Sequence, residues 1–190
     1  MSGKDPLHKH LRKDAFSSHK LVLDTSIFIA GLITTDQRYQ HQATTRFFQR
    51  LLDEQITVVV SQAIYLEFWN VCQKIELSRV LPQGADPHRA VKDNPLLLKA
   101  HIPQIQAGMS RLFELRAKFD RRWAHVGISE RIAKAALEIQ SNHLLDITDA
   151  IHVATALCGD ADIATFDKGI ANASIPNLSI WYQFDQSAME

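Results

Sequence analysis

Leu21-Val22-Leu23-Asp24-Thr25-Ser26 is the stretch whose reading decides the fold. Three apolar residues run into an acid, then into two small hydroxyl residues, and an apolar segment follows. This pattern predicts a buried strand at 20–24 that ends by presenting a carboxylate. A short helix is expected at about 26–33, with Thr25 or Ser26 available to cap it. Open α/β sheets keep their sites beyond the carboxyl ends of central strands, and Asp24 falls at such an end.

The pattern repeats outward from there. A helix is expected at 39–54, because Ala43, Phe47, Phe48, Leu51 and Leu52 recur at helical spacing. The β-branched run Ile56-Thr57-Val58-Val59-Val60 predicts a second buried strand, after which Ser61 is expected to cap a helix reaching about 77. His125-Val126-Gly127-Ile128 reads as a third strand, with a helix opening at Ser129-Glu130-Arg131 and running to about 142. A helix at 148–158, with Thr148 as a cap, precedes a fourth strand at 161–165 and a final strand at 178–181. Strands alternate with helices, so the expected fold class is α/β, with a mostly parallel sheet and helices on both faces.

Two segments stand apart. Residues 1–18 read as a polar extension, helical from Pro6 to Phe16. Residues 78–103 read as a loop-rich insertion with one short helix near 96–101, because Pro82, Gly84, Pro87, Pro95 and Pro103 interrupt any long helix. A longer helix is expected at 103–121. Residues 19–185 are thus expected to form a single domain carrying that insertion.

Composition excludes several classes. The 190 residues suit one domain, and 46% apolar with 22% charged content is ordinary for a globular chain. Lys plus Arg equals Asp plus Glu at 21 each, so no global basic field attracts nucleic acid. Any such contact must rest on a local patch or on metal ions. Cys72 and Cys158 lie far apart without metal-ligand spacing. They read as free thiols of a reducing, cytoplasmic setting. No run of about 18 apolar residues is present, so no membrane-spanning helix is expected. The basic N-terminus is not followed by an apolar core, so no secretory signal is expected.

Four acids occupy comparable addresses. Asp24 follows the first strand, and Glu67 lies in the first turns of the helix after the second. Asp149 lies in the first turn of the helix before the fourth strand, and Asp167 follows that strand. Strand carboxyl ends and helix amino ends open onto one edge of such a sheet, so the four can converge. Gathered carboxylates repel one another, and divalent cations relieve the repulsion. Mg²⁺ and Mn²⁺ favour oxygen ligands, can hold a phosphodiester and can activate water. The absence of cysteine or clustered histidine ligands argues against zinc. Each acid also has a plainer reading: Asp24 and Asp167 as helix caps, Asp149 at the positive end of its helix, Glu67 on a solvated stripe.

Val22-Leu23-Asp24-Thr25-Ser26, Glu67, Thr148-Asp149-Ala150-Ile151-His152-Val153-Ala154 and Ala161-Asp162-Ile163-Ala164-Thr165-Phe166-Asp167 together resemble the PIN domain family over about residues 20–182. The resemblance implies a three-layer α/β/α sandwich and a metal-dependent ribonuclease acting on an RNA substrate. It also implies, as in many members, a homodimer that is the toxin of a toxin–antitoxin pair. It assigns Asp24, Glu67, Asp149 and Asp167 to catalysis and to the Mg²⁺ or Mn²⁺ site, with Thr25, Ser26 and Thr165 adding hydroxyl contacts to the acids, water or substrate. The N-terminal extension and the 78–103 stretch make the chain longer than compact toxin-type members. The alternatives are a non-catalytic module whose acidic cleft receives a protein partner or RNA, and a metal phosphatase.

The remaining residues read more simply. His152, three residues after Asp149, is expected to be a buried structural histidine rather than a substrate contact. Asp146 reads as a cap and Asp162 as a structural hydrogen-bond acceptor. Trp69 and Trp123 read as packing residues, with base stacking as the alternative. Arg116, Lys118, Arg121 and Arg122 read as a solvated helix end rather than a phosphate patch. His8 and His10 read as a tail rather than a metal site.

Overall fold

Leu21, Val22 and Leu23 are all fully buried, and they face two different cores. Leu21 and Leu23 belong to one apolar cluster and Val22 to another. Side chains alternate across a strand, so an unbroken apolar run needs cover on both faces. Val58 and Val60 likewise face the first cluster and Val59 the second. A three-layer α/β/α sandwich follows from this pattern.

The computed structural model describes residues 7–9, 14–16, 18–33 and 38–182, with side chains described for all of these except 7–9 and 38–40. The strands are β1 (Leu7–Lys9), β2 (Lys20–Leu23), β3 (Thr57–Ser61), β4 (Trp123–Val126), β5 (Asp162–Ala164) and β6 (Ser179–Trp181). They form one sheet in the order β1-β6-β5-β2-β3-β4, and every pairing is parallel. The helices are α1 (Thr25–Leu32), α2 (Arg38–Asp53), α3 (Ala63–Ser78), α4 (Pro87–Asp93), α5 (Pro95–Phe119), α6 (Glu130–His143), α7 (Ile147–Gly159) and α8 (Lys168–Asn172). α1, α2, α3 and α5 cover the first core, while α6 and α7 pack together over the second.

The strand order places the site. From β2 the chain steps to β3 and β4 on one side, then returns to lay β5 on the other side of β2. In register, Val22 pairs with both Val59 and Ile163. The reversal between β2 and β5 opens a crevice at their carboxyl ends, where ligands bind in open α/β sheets.

Several boundaries differ from the sequence reading. The helix expected from Pro6 to Phe16 is not found among the described residues of that stretch. Leu7–Lys9 is instead an edge strand on β6, and Asp14–Phe16 is not helical. The reason is tertiary. Phe16 lies 4.5 Å from the Trp181 ring, and Arg50 stacks over Phe16 while its Nη2 donates to Asp14 O at 2.5 Å. These anchors guide the chain along a sheet edge whose backbone groups need partners. The side chains of His8 and His10 lie outside those described.

The stretch 78–103 is largely helical rather than loop-rich. Pro87 and Pro95 each follow the cap residue of a helix, where a missing N–H costs nothing. Pro103 lies inside α5, the one position where its ring and lost hydrogen bond are expensive. Burial of Ile105, Leu112, Leu115 and Phe119 on the same helix offsets that cost.

Strand β4 begins at Trp123 rather than His125, which puts the indole in the core beside Phe28 and Phe119. Trp69 is half-buried against the same core. Ser61 ends β3 and does not cap α3, whose N-cap is Gln62 without a side-chain hydrogen bond. Asp146, not Thr148, caps α7 by accepting from Thr148 N and Asp149 N. Asp162 accepts from Trp181 Nε1 at 2.9 Å, a structural bond as expected.

Candidate metal centre

Asp24 caps α1 and forms the floor of the crevice. It is 3% exposed and well supplied with donors. Thr25 N donates to Oδ1 at 2.7 Å, while the hydroxyls of Ser26 and Thr165 donate to Oδ2 at 2.5 and 2.8 Å. These hydroxyls also tie neighbouring segments together. Phe166 N donates to Ser26 Oγ, and Asp167 N donates to Thr165 Oγ1, each at 2.8 Å. The loop after β5 is thereby fixed against the end of β2. Cap and site are one arrangement at Asp24.

Glu67 reaches the crevice from α3. Its Oε2 accepts from the Thr25 hydroxyl at 2.5 Å and lies 3.0 Å from His152 Nε2. Thr25 thus supports two acids at once. Asp167 caps α8, its Oδ1 accepting from Gly169 N at 2.5 Å and Ile170 N at 3.2 Å. Asp149 differs from the other three: among the described residues no donor is recorded on its carboxylate.

Electrostatics follow from this crowding. Burial pushes the Asp149 carboxyl up to about 7, and Asp146, Asp24, Asp167 and Glu67 push in the same direction. Burial also raises Asp24, aided by Glu67 and opposed by His152 and by the Ser26 and Thr165 hydroxyls. For His152, burial favours the neutral ring, but Glu67, Asp24 and Asp149 outweigh it and the net direction is upward. Asp149 therefore lies within electrostatic reach of the other three sequence-selected acids, and Asp24 within reach of Glu67.

One feature of the site escaped the sequence. His152 is fully buried, as expected, yet it is part of the cluster. Its Nε2 is 3.8 Å from Asp24 Oδ1, and ligand atoms of Asp24, Glu67 and His152 lie within 4.8 Å of one another. His152 thus adds a single ring nitrogen to the carboxylate cluster. The three-residue step from Asp149 to His152 was the available signal, since it sets both on one helix face. Ser61, whose Oγ lies 3.0 Å from His152 Nδ1, gave no signal distinct from a helix cap.

The donor set suits a divalent cation. Carboxylate oxygens of Asp24 and Glu67 converge, the Asp149 carboxylate has no internal partner, and burial, aided by the neighbouring acids, holds the Asp149 proton near neutrality. A cation relieves this without further side chains.

A parallel α/β/α sandwich with an acidic crevice at its switch point is the class that fold and site define. The PIN domain model matches residues 21–176, and the chain belongs to the PIN domain family. Solved structures agree in fold. FitAcB from Neisseria gonorrhoeae matches with a TM-score of 0.52 at 16% identity, covering 85% of this chain and 96% of that one. VapBC2 from Rickettsia felis, bound to a DNA fragment from their promoter, matches at 0.53 and 14% identity, covering 87% and 99%. VapC20 from Mycobacterium tuberculosis, a Sarcin-Ricin loop cleaving toxin, matches at 0.51 and 15%, covering 84% and 98%. No curated protein matches the chain. Among the described residues, no helix is long and apolar enough to cross a membrane.

Proposed function

We propose that this chain is a metal-dependent endoribonuclease, the toxin of a toxin–antitoxin pair, with Asp24, Glu67, Asp149 and Asp167 holding Mg²⁺ or Mn²⁺. The observation that carries the reading is Asp149: a carboxylate without a donor, beside three other acids, in a crevice at the sheet's switch point. A divalent cation bound there supplies charge neutralisation for a phosphodiester and activation of water. The chain's own residues supply the rest. Ser26 and Thr165 keep Asp24 in place, Thr25 links Asp24 to Glu67, and the capped start of α8 fixes Asp167. Attack of water on phosphorus with departure of the 3′ oxygen leaves a 5′-phosphate and a 3′-hydroxyl.

The toxin assignment draws support from family membership and from the VapC20 likeness, whose subject cleaves the Sarcin-Ricin loop. An antitoxin partner, a homodimer and a cytoplasmic setting complete the proposal. The free thiols Cys72 and Cys158 are consistent with that setting. The test is RNA cleavage by the purified chain with Mn²⁺. Asp24→Asn and Asp149→Asn should reduce cleavage to background while the fold is kept, and Asp24→Asn cleaving at the parent rate refutes the site. The zero net charge, which gives no general pull on RNA, favours one rival: a non-catalytic module receiving a basic partner segment in the same cleft. Stabilisation by Mn²⁺ without cleavage of any RNA supports that rival.

A further inference from the structure

β3, α3 and α7 each contribute one residue to a continuous polar chain beneath the acids. Ser61 ends β3 and is 1% exposed, and His152 on α7 is fully buried. Ser61 Oγ lies 3.0 Å from His152 Nδ1, and His152 Nε2 lies 3.0 Å from Glu67 Oε2. Both ring nitrogens are therefore spoken for. Glu67 is a carboxylate on a long side chain, 29% exposed, that must stay fixed at the crevice. An exposed glutamate would otherwise sample several rotamers.

We propose that His152 is a positioning residue for Glu67, with Ser61 setting its ring: the Ser61 hydroxyl donates to Nδ1, so that Nε2–H donates to Glu67 Oε2. The chemistry leaves little choice. A carboxylate oxygen only accepts, so the proton between His152 and Glu67 must sit on Nε2. In the neutral ring Nδ1 is then an acceptor, and a serine hydroxyl is a partner able to donate to it. A second donor, the Thr25 hydroxyl, meets the same Oε2. No partner is recorded for Oε1 among the described residues. Two donors thus pin one oxygen of Glu67 and leave the other free for the cation. This is how outer groups orient a ligating carboxylate, and their loss typically lowers metal affinity by about 10–100-fold. The proximity of His152 Nε2 to both acids also allows direct ligation, but ligation needs a lone pair on Nε2, the atom that must carry the proton here.

The inference rests on Glu67 facing a metal, as in the proposed function, but its test does not depend on RNA cleavage. The full chain is titrated with Mn²⁺ by calorimetry. Asn at position 152 reaches only as far as Nδ1, whereas Gln carries an amide nitrogen near the reach of Nε2. His152→Asn should weaken Mn²⁺ binding by about 10–100-fold, and His152→Gln should recover most of that loss. Long-range ¹H–¹⁵N spectra of the parent, metal-free and with Mg²⁺, should show Nε2 protonated in both states and Nδ1 unprotonated with Mg²⁺. Loss of the Nε2 proton on Mg²⁺ binding overturns the proposal in favour of ligation. Equal affinity loss in both variants, or no loss in either, also overturns it. If His152→Asn does not fold, the ring spectra alone decide. Absence of any Mn²⁺ or Mg²⁺ binding by the parent overturns the metal reading itself and leaves the ring assignment to stand or fall on the metal-free spectrum.

Discussion

Asp149→Asn should make the metal-free protein more stable at alkaline pH, although it removes a residue proposed for the site. The folded protein holds the Asp149 carboxyl at about 7, against an ordinary value of 3.8. Between those values the native state keeps a proton that the unfolded chain has lost. Stability therefore falls as pH rises through this window and stays reduced above it. At about 1.4 kcal/mol for each pKa step, full expression of the shift corresponds to about 4 kcal/mol. Asp149 is only half-buried, so solvent screening reduces this to about 1–2 kcal/mol. For a chain of this size, that is a Tm increase of about 2–8 °C. The assay is thermal unfolding in a chelator at pH 8 and again near pH 4.5. The variant should melt above the parent at pH 8, and the gap should narrow toward pH 4.5. With Mn²⁺ the order should reverse, because the parent gains about 2.7 kcal/mol at a hundredfold excess over its dissociation constant. A variant that melts at or below the parent at pH 8 in chelator refutes the argument from burial and neighbouring charge. The idea that a cation relieves the buried, crowded Asp149 would go with it.

Other consequences are more local. Thr165→Val removes a hydroxyl donated to the buried Asp24 and the acceptor of Asp167 N. It should cost about 1–3 kcal/mol in denaturant unfolding at pH 8, and an unchanged midpoint counts against the hydroxyl's role. A Cβ at Gly31 would overlap Phe48 and sit 2.8 Å from Thr44 Cγ2. Gly31→Ala should therefore destabilise by about 1–3 kcal/mol by pushing α1 off α2, despite alanine's better helix propensity. Burial, with Glu76 nearby, pushes the Cys72 thiol up to about 12. A disulfide reagent at pH 8 should accordingly modify Cys158 in the native protein and Cys72 only after unfolding, as read by mass spectrometry.

The parts of the fold most legible in sequence were those governed by local pattern. Leu21-Val22-Leu23 and Val58-Val59-Val60 announced strands covered on both faces, and both runs feed two cores. The four acids could be selected because each followed a strand or opened a helix, and parallel topology sends those positions to one edge. What failed was governed by contacts between distant residues. Leu7–Lys9 became a strand because β6 offered an edge and Phe16 found Trp181. Pro103 stayed within α5 because one face of that helix is buried. A strand-terminal serine reads as a cap until its partner is known, so Ser61 was assigned to α3 when its hydroxyl belongs to His152.

The sequence by itself therefore determined the layers and the parallel sheet and nominated the four acids, since apolar periodicity and strand-end carboxylates are properties of short segments. Only the tertiary structure decided how those acids are held. It aligned Ser26, Thr165 and Thr25 on Asp24 and Glu67, and it brought Ser61 from β3 to His152 on α7. The strand order that puts β5 beside β2 sets residues remote in sequence within hydrogen-bond distance. No local pattern encodes that order. It follows from closing both cores at once.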